Sequence, residues 1–471
     1  MKTKFTSVSL AALSGVLLLG LSLAANAQTL TILHQFGATA GDGKNPEASL
    51  TLVGSTLYGT TTGGGTNSAG TVFAINTDGS GYTILHQFGA TAVDGKNPEA
   101  SLTAVGSTLY GTTYSGGTNL YYGTVFAINT NGSGYTSLHA FAEYHDGANP
   151  KASLTLVGST LYGTTWIGGT GNDAGTVFAI NTDGSGYIVL DDFQYPTVGG
   201  FNPAASLTAV GSTLYGTTVG GGTNSDPVYS EASEAGIVFA INTGRSGYTV
   251  LHSFGPFAYG GEPYASLTLV GSTLYGTTSI GGTNSDDAAS GVVFAISTNG
   301  SGFTILHEFP ATDSDGYSPV ASLTLGGSNT LYGTTGGSIP DAGTVFAINT
   351  DGSGYTILHQ FGATAGDGAD PGASLTLVGS TLYGTTAGGG TNSVGTVFAL
   401  GLPAPPSMGI TTVANQIVIS WPTNATGYAL QSIASLSGSW SNVTSGITIV
   451  GTNHVFTNIV NGNAAFFRLA Q

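Results

Sequence analysis

The stretch Leu57-Tyr58-Gly59-Thr60-Thr61 decides how this chain folds. The same five residues return at Leu109, Leu161, Leu214, Leu274, Leu331 and Leu382, giving seven copies. Their tyrosines, from Tyr58 to Tyr383, recur every 51 to 60 residues. A period of that length marks a repeat architecture, in which one supersecondary unit buries its faces only by stacking on the next.

Working outward from the motif, each copy follows Pro46-Glu47-Ala48-Ser49-Leu50 or its counterpart, with the proline recurring at Pro98, Pro150, Pro203, Pro263, Pro319 and Pro371. A short strand and a Gly54-Ser55 turn lead into the motif itself. A glycine-rich loop then leads to Val72-Phe73-Ala74-Ile75, and the turn Asn76-Thr77-Asp78-Gly79-Ser80-Gly81 returns the chain to Tyr82-Thr83-Ile84-Leu85-His86. Each unit therefore holds four strands in meander order, with turn signals between them and no helical period. Val72 to Ile75 are apolar on consecutive residues, so the sheet must be covered on both faces. Radially stacked four-stranded sheets make a β-propeller. The expectation is an all-β fold: a seven-bladed β-propeller of four-stranded blades over residues 28–401. The array starts on a lone fourth strand at residues 30–36 and stops on a third strand at residues 397–400. Pairing these two closes the ring and removes two exposed edges. A linear β-solenoid, the alternative, predicts capping units at both ends.

Only 7% of the 471 residues are Asp, Glu, Lys or Arg, so solubility rests on Thr, Ser, Asn and the backbone of 77 glycines. An average soluble domain carries about 25% charged residues. Lys2 and Lys4, an apolar run from Val8 to Ala25, and Ala25-Asn26-Ala27 before Gln28 read as a secretory signal peptide over residues 1–27. No other segment is apolar enough to span a membrane, so the mature protein is expected to be exported to the cell surface, periplasm or medium. Without cysteine there are neither disulfides nor thiolate metal sites. Losing Lys2 and Lys4 leaves five basic against 24 acidic residues, a net charge of −19. That field excludes nucleic acid and anionic lipid as partners.

Residues 402–407 contain Pro403-Ala404-Pro405-Pro406, an extended linker. Beyond it, residues 408–471 hold five or more short apolar strands, among them Ile417 to Trp421 and Phe466 to Leu469, and are expected to form a small β-sandwich that anchors, sorts or binds.

The ordered set Asp-Gly, Pro-x-Ala-Ser-Leu, Leu-Tyr-Gly-Thr-Thr, Gly-Gly and Gly-Thr-Val-Phe resembles the GloVer (Gloeo/Verruco) tandem repeat of exported bacterial proteins. The tail, with Ser420-Trp421-Pro422, Leu430-Gln431-Ser432 and Phe466-Phe467-Arg468-Leu469, looks like the C-terminal module of verrucomicrobial exported proteins. The resemblance implies location and architecture, and brings no catalytic residues.

His34, His86, His139, His252, His307 and His359 fall on outermost strands. They are too far apart to share an ion at about 2 Å, and read as strand-edge hydrogen-bonders. Asp42, Asp94, Asp146, Asp315 and Asp367 each precede a glycine in an inter-unit loop. They read first as turn residues. As calcium ligands they are weak candidates, because each loop offers one carboxylate where calcium wants several oxygens. The longer connections, from strand two to three and from unit to unit, fall on one face and carry the length variation. The dense acidic loops there, with Asp226, Glu231 and Glu234 and with Asp286 and Asp287, are the ligand-binding candidates. An enzyme is expected to show one unit carrying unmatched polar residues near the axis, for which units four and five are the only candidates. No metal cofactor other than calcium and no catalytic constellation is indicated. The expected function is that of a monomeric, non-catalytic surface protein binding an extracellular glycan or protein. An extracellular carbohydrate-active enzyme and a purely structural element are the alternatives.

Overall fold

The computed structural model describes residues 28–91, 93–118, 121–142, 146–170, 173–195, 199–222, 235–255, 260–282, 290–309, 316–337, 342–364, 366–403, 408–413, 416–423, 429–433, 441–459 and 466–470. Among these residues every regular element is a strand. The first unit shows the plan. Thr51–Val53, Thr56–Thr61, Thr71–Asn76 and Thr83–Gln87 form one antiparallel sheet in chain order. Gly54 adopts a φ of 64°, the left-handed conformation that the tight turn between the first two strands demands. Six further sheets repeat the plan. In the last of them the outer strand comes from the start of the chain: Leu30–Gln35 pairs with Thr396–Gly401, Leu30 opposite Leu400 and Gln35 opposite Thr396.

Side chains alternate across each pleated sheet, so Leu57 and Tyr58 serve opposite faces. Tyr58 packs with Leu109 and Phe126 of the second unit, whereas Leu57 packs with Tyr383 and Val397 of the seventh. Seven such clusters lie between successive sheets, each built from buried Phe, Leu and Val, with a Tyr of the motif buried in six and partly buried in the seventh. Gly59 lies opposite Phe73, and a Cβ there would stand 2.5 Å from the Phe73 ring. The glycine of the motif is therefore the space into which a fully buried phenylalanine fits.

The two threonines of the motif do separate work. The Thr60 hydroxyl donates to the Ala100 carbonyl of the next unit at 3.0 Å, and its counterparts repeat the bond until Thr385 donates to Ala48 of the first. A second set runs alongside, from Thr51 to the Leu102 carbonyl through to Thr376 and Leu50, at 2.5–2.6 Å. Both sets close on themselves after seven steps. Thr61 stays within its unit, bonded to the Thr71 hydroxyl and to the Gly63 carbonyl at the root of the next loop.

The longer connections do share one face. Gly43–Lys44 of the inter-unit loop pairs with Gly63–Gly64 of the strand-two-to-three loop, and single bridges such as Phe201 to Gly220 tie the same loops in other units. In the tail, Gly409–Val413, Gln416–Pro422, Asn453–Ile459 and Ile447–Val450 form one sheet, and Ser441–Asn442, Ala429–Ile433 and Phe466–Ala470 another. Ile419, Trp421 and Leu430 are buried between them, which gives the small module a core of its own.

Candidate functional site

The Pro-x-Ala-Ser-Leu segment brings all seven units together. Its Ala-Ser pairs, from Ala48-Ser49 to Ala373-Ser374, surround a single central cavity of about 160 Å³. The alanines are buried and held by the threonine bonds described above, so the wall is fixed by the same residues that join the sheets. From unit three onward the serines are linked as well: the Ser153 N–H donates to Ser206 Oγ, and the relay continues to Ser374 at 2.9–3.0 Å.

At the x position the repeats differ. Units one to seven place Glu47, Glu99, Lys151, Ala204, Tyr264, Val320 and Gly372 at the rim of the cavity. The residue after Thr-Thr lies beside it, where the units carry Thr62, Tyr114, Trp166, Val219, Ser279, Gly336 and Ala387. The Thr62 hydroxyl donates to Glu47 at 3.4 Å, and Ser279 to Glu262 at 3.2 Å. The Lys151 ammonium sits 4.3 Å from the centre of the Trp166 ring and 5.4 Å from that of Tyr114. This is cation–π range. Tyr264 lies parallel to Trp166, their centroids 6.3 Å apart and their planes within 13°. It reaches there past unit four, whose counterpart is the small Ala204.

These side chains are aimed by the backbone. The residue before each proline has positive φ, 55° at Asn45, Asn97, Asn149 and Asn202. Asparagine tolerates that conformation and can still use its amide. Asn149 donates to the Tyr114 carbonyl at 2.8 Å, and Asn202 to the Trp166 carbonyl at 2.8 Å, each reaching back one unit. The Trp166 backbone N–H donates in turn to the Asn149 carbonyl. Electrostatically the rim is acidic. Burial pushes the Glu99 carboxyl up to about 7, with the Glu47 charge adding to the effect and Lys151 opposing it. Burial and the neighbouring Asp370 charge raise Glu47, and burial raises Asp370.

Of the residues singled out by sequence, Asp226, Glu231, Glu234, Asp286, Asp287 and Asp315 lie outside the described residues. Units four and five, the candidates on the enzyme reading, are not the sole source of unmatched polar groups at the centre: among the described residues these come mainly from units one to three. The signal was present as a variable position inside an otherwise constant frame, Glu, Glu, Lys, Ala, Tyr, Val, Gly. It was missed because the long loops drew the variation to themselves.

Asp42, Asp94, Asp146 and Asp367 are not merely turn residues. Asp42 is buried, accepts from the Tyr82 hydroxyl at 2.6 Å and from Gly43 N–H at 2.8 Å, and meets His34 Nε2 at 3.3 Å. His34 stacks on Tyr82 with centroids 3.6 Å apart. Asp94 meets His86, Asp146 meets His139 and Asp367 meets His359, at 3.2 to 3.4 Å. Four of the histidines, expected to bond along strand edges, thus face an aspartate, and His34, His86, His139, His252 and His307 stack on a Tyr or Phe of the neighbouring sheet. A register shift in each outer strand, such as that between Val72 and Phe73 opposite His86 and Ile84, sets them there. Among the described residues no group of three or more His, Asp or Glu is placed to hold a metal ion, and no helix is long and apolar enough to cross a membrane.

No curated protein matches the chain. Among solved structures it is similar to PorZ, an essential bacterial surface component of the type-IX secretion system of Porphyromonas gingivalis, at 14% identity and a TM-score of 0.48, over 92% of this chain and 60% of that one. Hydrazine synthase of Kuenenia stuttgartiensis is matched at 15% identity and a TM-score of 0.46, over 77% of this chain and 98% of that one. A nidogen/laminin complex is matched at 16% identity and a TM-score of 0.37, over 56% of this chain and 79% of that one. The Gloeobacter/Verrucomicrobia repeat matches residues 19–229 and 228–398, and the chain belongs to that family.

Proposed function

We propose that this is an exported, seven-bladed β-propeller that binds an extracellular glycan or protein at the centre of its long-loop face. One observation carries the proposal. Seven near-identical units converge on one cavity, and the charged and aromatic side chains in which they differ gather at its rim. The x side chains take no part in the clusters between sheets, so packing there does not dictate their identity. The closed cycles of threonine bonds and the pairing of Leu30–Gln35 with Thr396–Gly401 support the ring. Export is supported by the leader at residues 1–27. Expressed with that leader in a secreting bacterium, the protein should appear outside the cytoplasm with Gln28 as its first residue. Retention in the cytoplasm with the leader intact would defeat the export reading. Binding is tested by presenting the purified exported protein to arrayed glycans and surface proteins: rim variants at Glu47, Lys151 or Trp166 should lose what the parent retains.

A second reading, hydrolysis of a glycan at the same rim, is favoured by Glu99, whose carboxyl near neutrality beside Glu47 suits a general acid. It predicts release of reducing ends from a polysaccharide, abolished in Glu99→Gln.

A further inference from the structure

We propose that the occupant of the central rim is a neutral saccharide, one sugar ring packed against the Trp166–Tyr264 pair with its hydroxyls toward Glu47, Glu99 and Lys151. The inference rests on the rim being a binding site, and adds the class of ligand.

Charge decides first between the possible occupants. An anionic polymer would approach Glu47, Glu99 and Asp370 at the rim of a chain whose formal net charge is −17. Like charges at short range cost several kcal/mol, and the field repels from a distance as well. A cationic ligand would find the carboxylates it needs, but Lys151 is already there. Its ammonium lies on the Trp166 ring, and its charge acts on both Glu47 and Glu99. A second cation would have to displace it or sit against it. A neutral ligand meets neither obstacle.

Shape and hydrogen bonding then narrow the neutral class. Trp166 and Tyr264 stack with their planes within 13° and their centroids 6.3 Å apart, and the Lys151 ammonium lies 4.3 Å from the centre of the Trp166 ring, so units three and five place aromatic carbon beside a charged donor at the rim. Aromatic carbon covers the C–H-bearing face of a sugar ring and buries it from water. The groups beside it are carboxylates, which accept, and an ammonium, which donates. A polyhydroxylated edge uses all of these at once, whereas an apolar ligand would leave them desolvated and unpaired. Beneath the rim the cavity is walled by alanine methyls and serine hydroxyls, small and uncharged, with room for a substituent of the ring.

The test uses the purified exported protein and isothermal titration with four probes: a neutral β-glucan and a neutral mannan, anionic alginate, and cationic chitosan. At least one neutral polysaccharide should bind, with Kd changing less than threefold between low and high salt. Trp166→Ala and Tyr264→Ala should each weaken it at least tenfold, and Trp166→Phe should recover most of the loss. Thermal melting checks that each variant is folded. Binding of alginate or chitosan, or of a protein on the surface array, that is lost in the same variants would overturn the ligand class and leave the rim as the binding site. Binding of a neutral polysaccharide that both alanine variants retain would overturn the placement. Absence of any partner would defeat the inference and the functional reading together.

Discussion

Outer-strand histidines in four units are matched by an aspartate seven or eight residues on, as His34 is by Asp42. Unit five has Gly260 at that place, and among the described residues His252 Nε2 is buried without a partner while its ring stacks on Phe303. Burial lowers its pKa from the ordinary 6.5 to about 4. The sign follows from proton binding. Between these values the unfolded chain takes up a proton that the folded chain refuses, so stability is full above about pH 6.5 and falls until about pH 4. Asp42 and Asp94 act lower down. Burial pulls their carboxyls up, but His and Tyr hydrogen bonds and the histidine charge outweigh it and hold them below the usual value. Their contribution is present above about pH 4 and is lost as pH falls through the lowered values. His252→Phe keeps the stack and removes the titration. Melting curves from pH 7 to 4 should show the variant losing less stability than the parent, by about 2 kcal/mol at pH 4.5. Identical slopes would mean that His252 is solvated in solution. The outer strand of unit three reaches another solution: Asp191 replaces the histidine, and burial with the neighbouring Asp192 charge pushes it up to about 6.

Elements in this chain are easier to read from sequence than the rim they build. Leu-Tyr-Gly-Thr-Thr carries its strand, its two packed faces and its phenylalanine slot in five residues, because period-two alternation and consecutive burial both leave a pattern. The serine-and-alanine segment leaves none. Pro46 to Ser49 form no strand, and their place around the centre depends on bonds from other units, Thr385 to Ala48 and Thr60 to Ala100. A contact made by threonines of neighbouring repeats cannot be seen within one repeat. The same holds for the left-handed asparagines, whose amides grip the preceding unit. This gives an element-scale test. Asn202→Gly keeps the backbone conformation and releases the Trp166 carbonyl, while Asn45→Gly releases the Ala387 carbonyl. Each should cost about 1 kcal/mol for the lost hydrogen bond. Only Asn202→Gly should also weaken ligand binding, severalfold, because only it loosens the aromatic pair. Equal effects on binding would show that the asparagines act through stability alone.

The whole molecule depends on a strand taken from the wrong end of the chain. Leu30–Gln35 covers the edge of Thr396–Gly401, and Leu30 and Ile32 pack with Phe398 and Leu400 of the last sheet. Phe36 goes further, entering the cluster shared by the last sheet and the first, beside Leu57 and Phe73. Everywhere else the third strand reaches the fourth through a turn such as Asn76 to Gly81, in which Asp78 accepts from the Ser80 N–H at 2.9 Å and Asn76 bonds the Ser80 hydroxyl. Apart from chain order, the closing strand differs in having Leu30 at the place where the other units have Tyr or Phe, and its pairing is the same antiparallel ladder. A permuted chain should therefore fold: residues 37–401, then a copy of the 76–81 turn, then residues 30–36, followed by the tail. It should melt within a few degrees of the parent and keep its ligand. Simple deletion of residues 28–36 should fare far worse. It leaves the Thr396–Gly401 edge unpaired, a template for association with another chain, and removes a fully buried phenylalanine whose loss alone costs about 3–5 kcal/mol. Size-exclusion chromatography and thermal melting separate the two cases. A permutant as aggregated as the deletion would show that the N-terminal strand is needed first in the chain, to start the ring during synthesis, and not only in place within it.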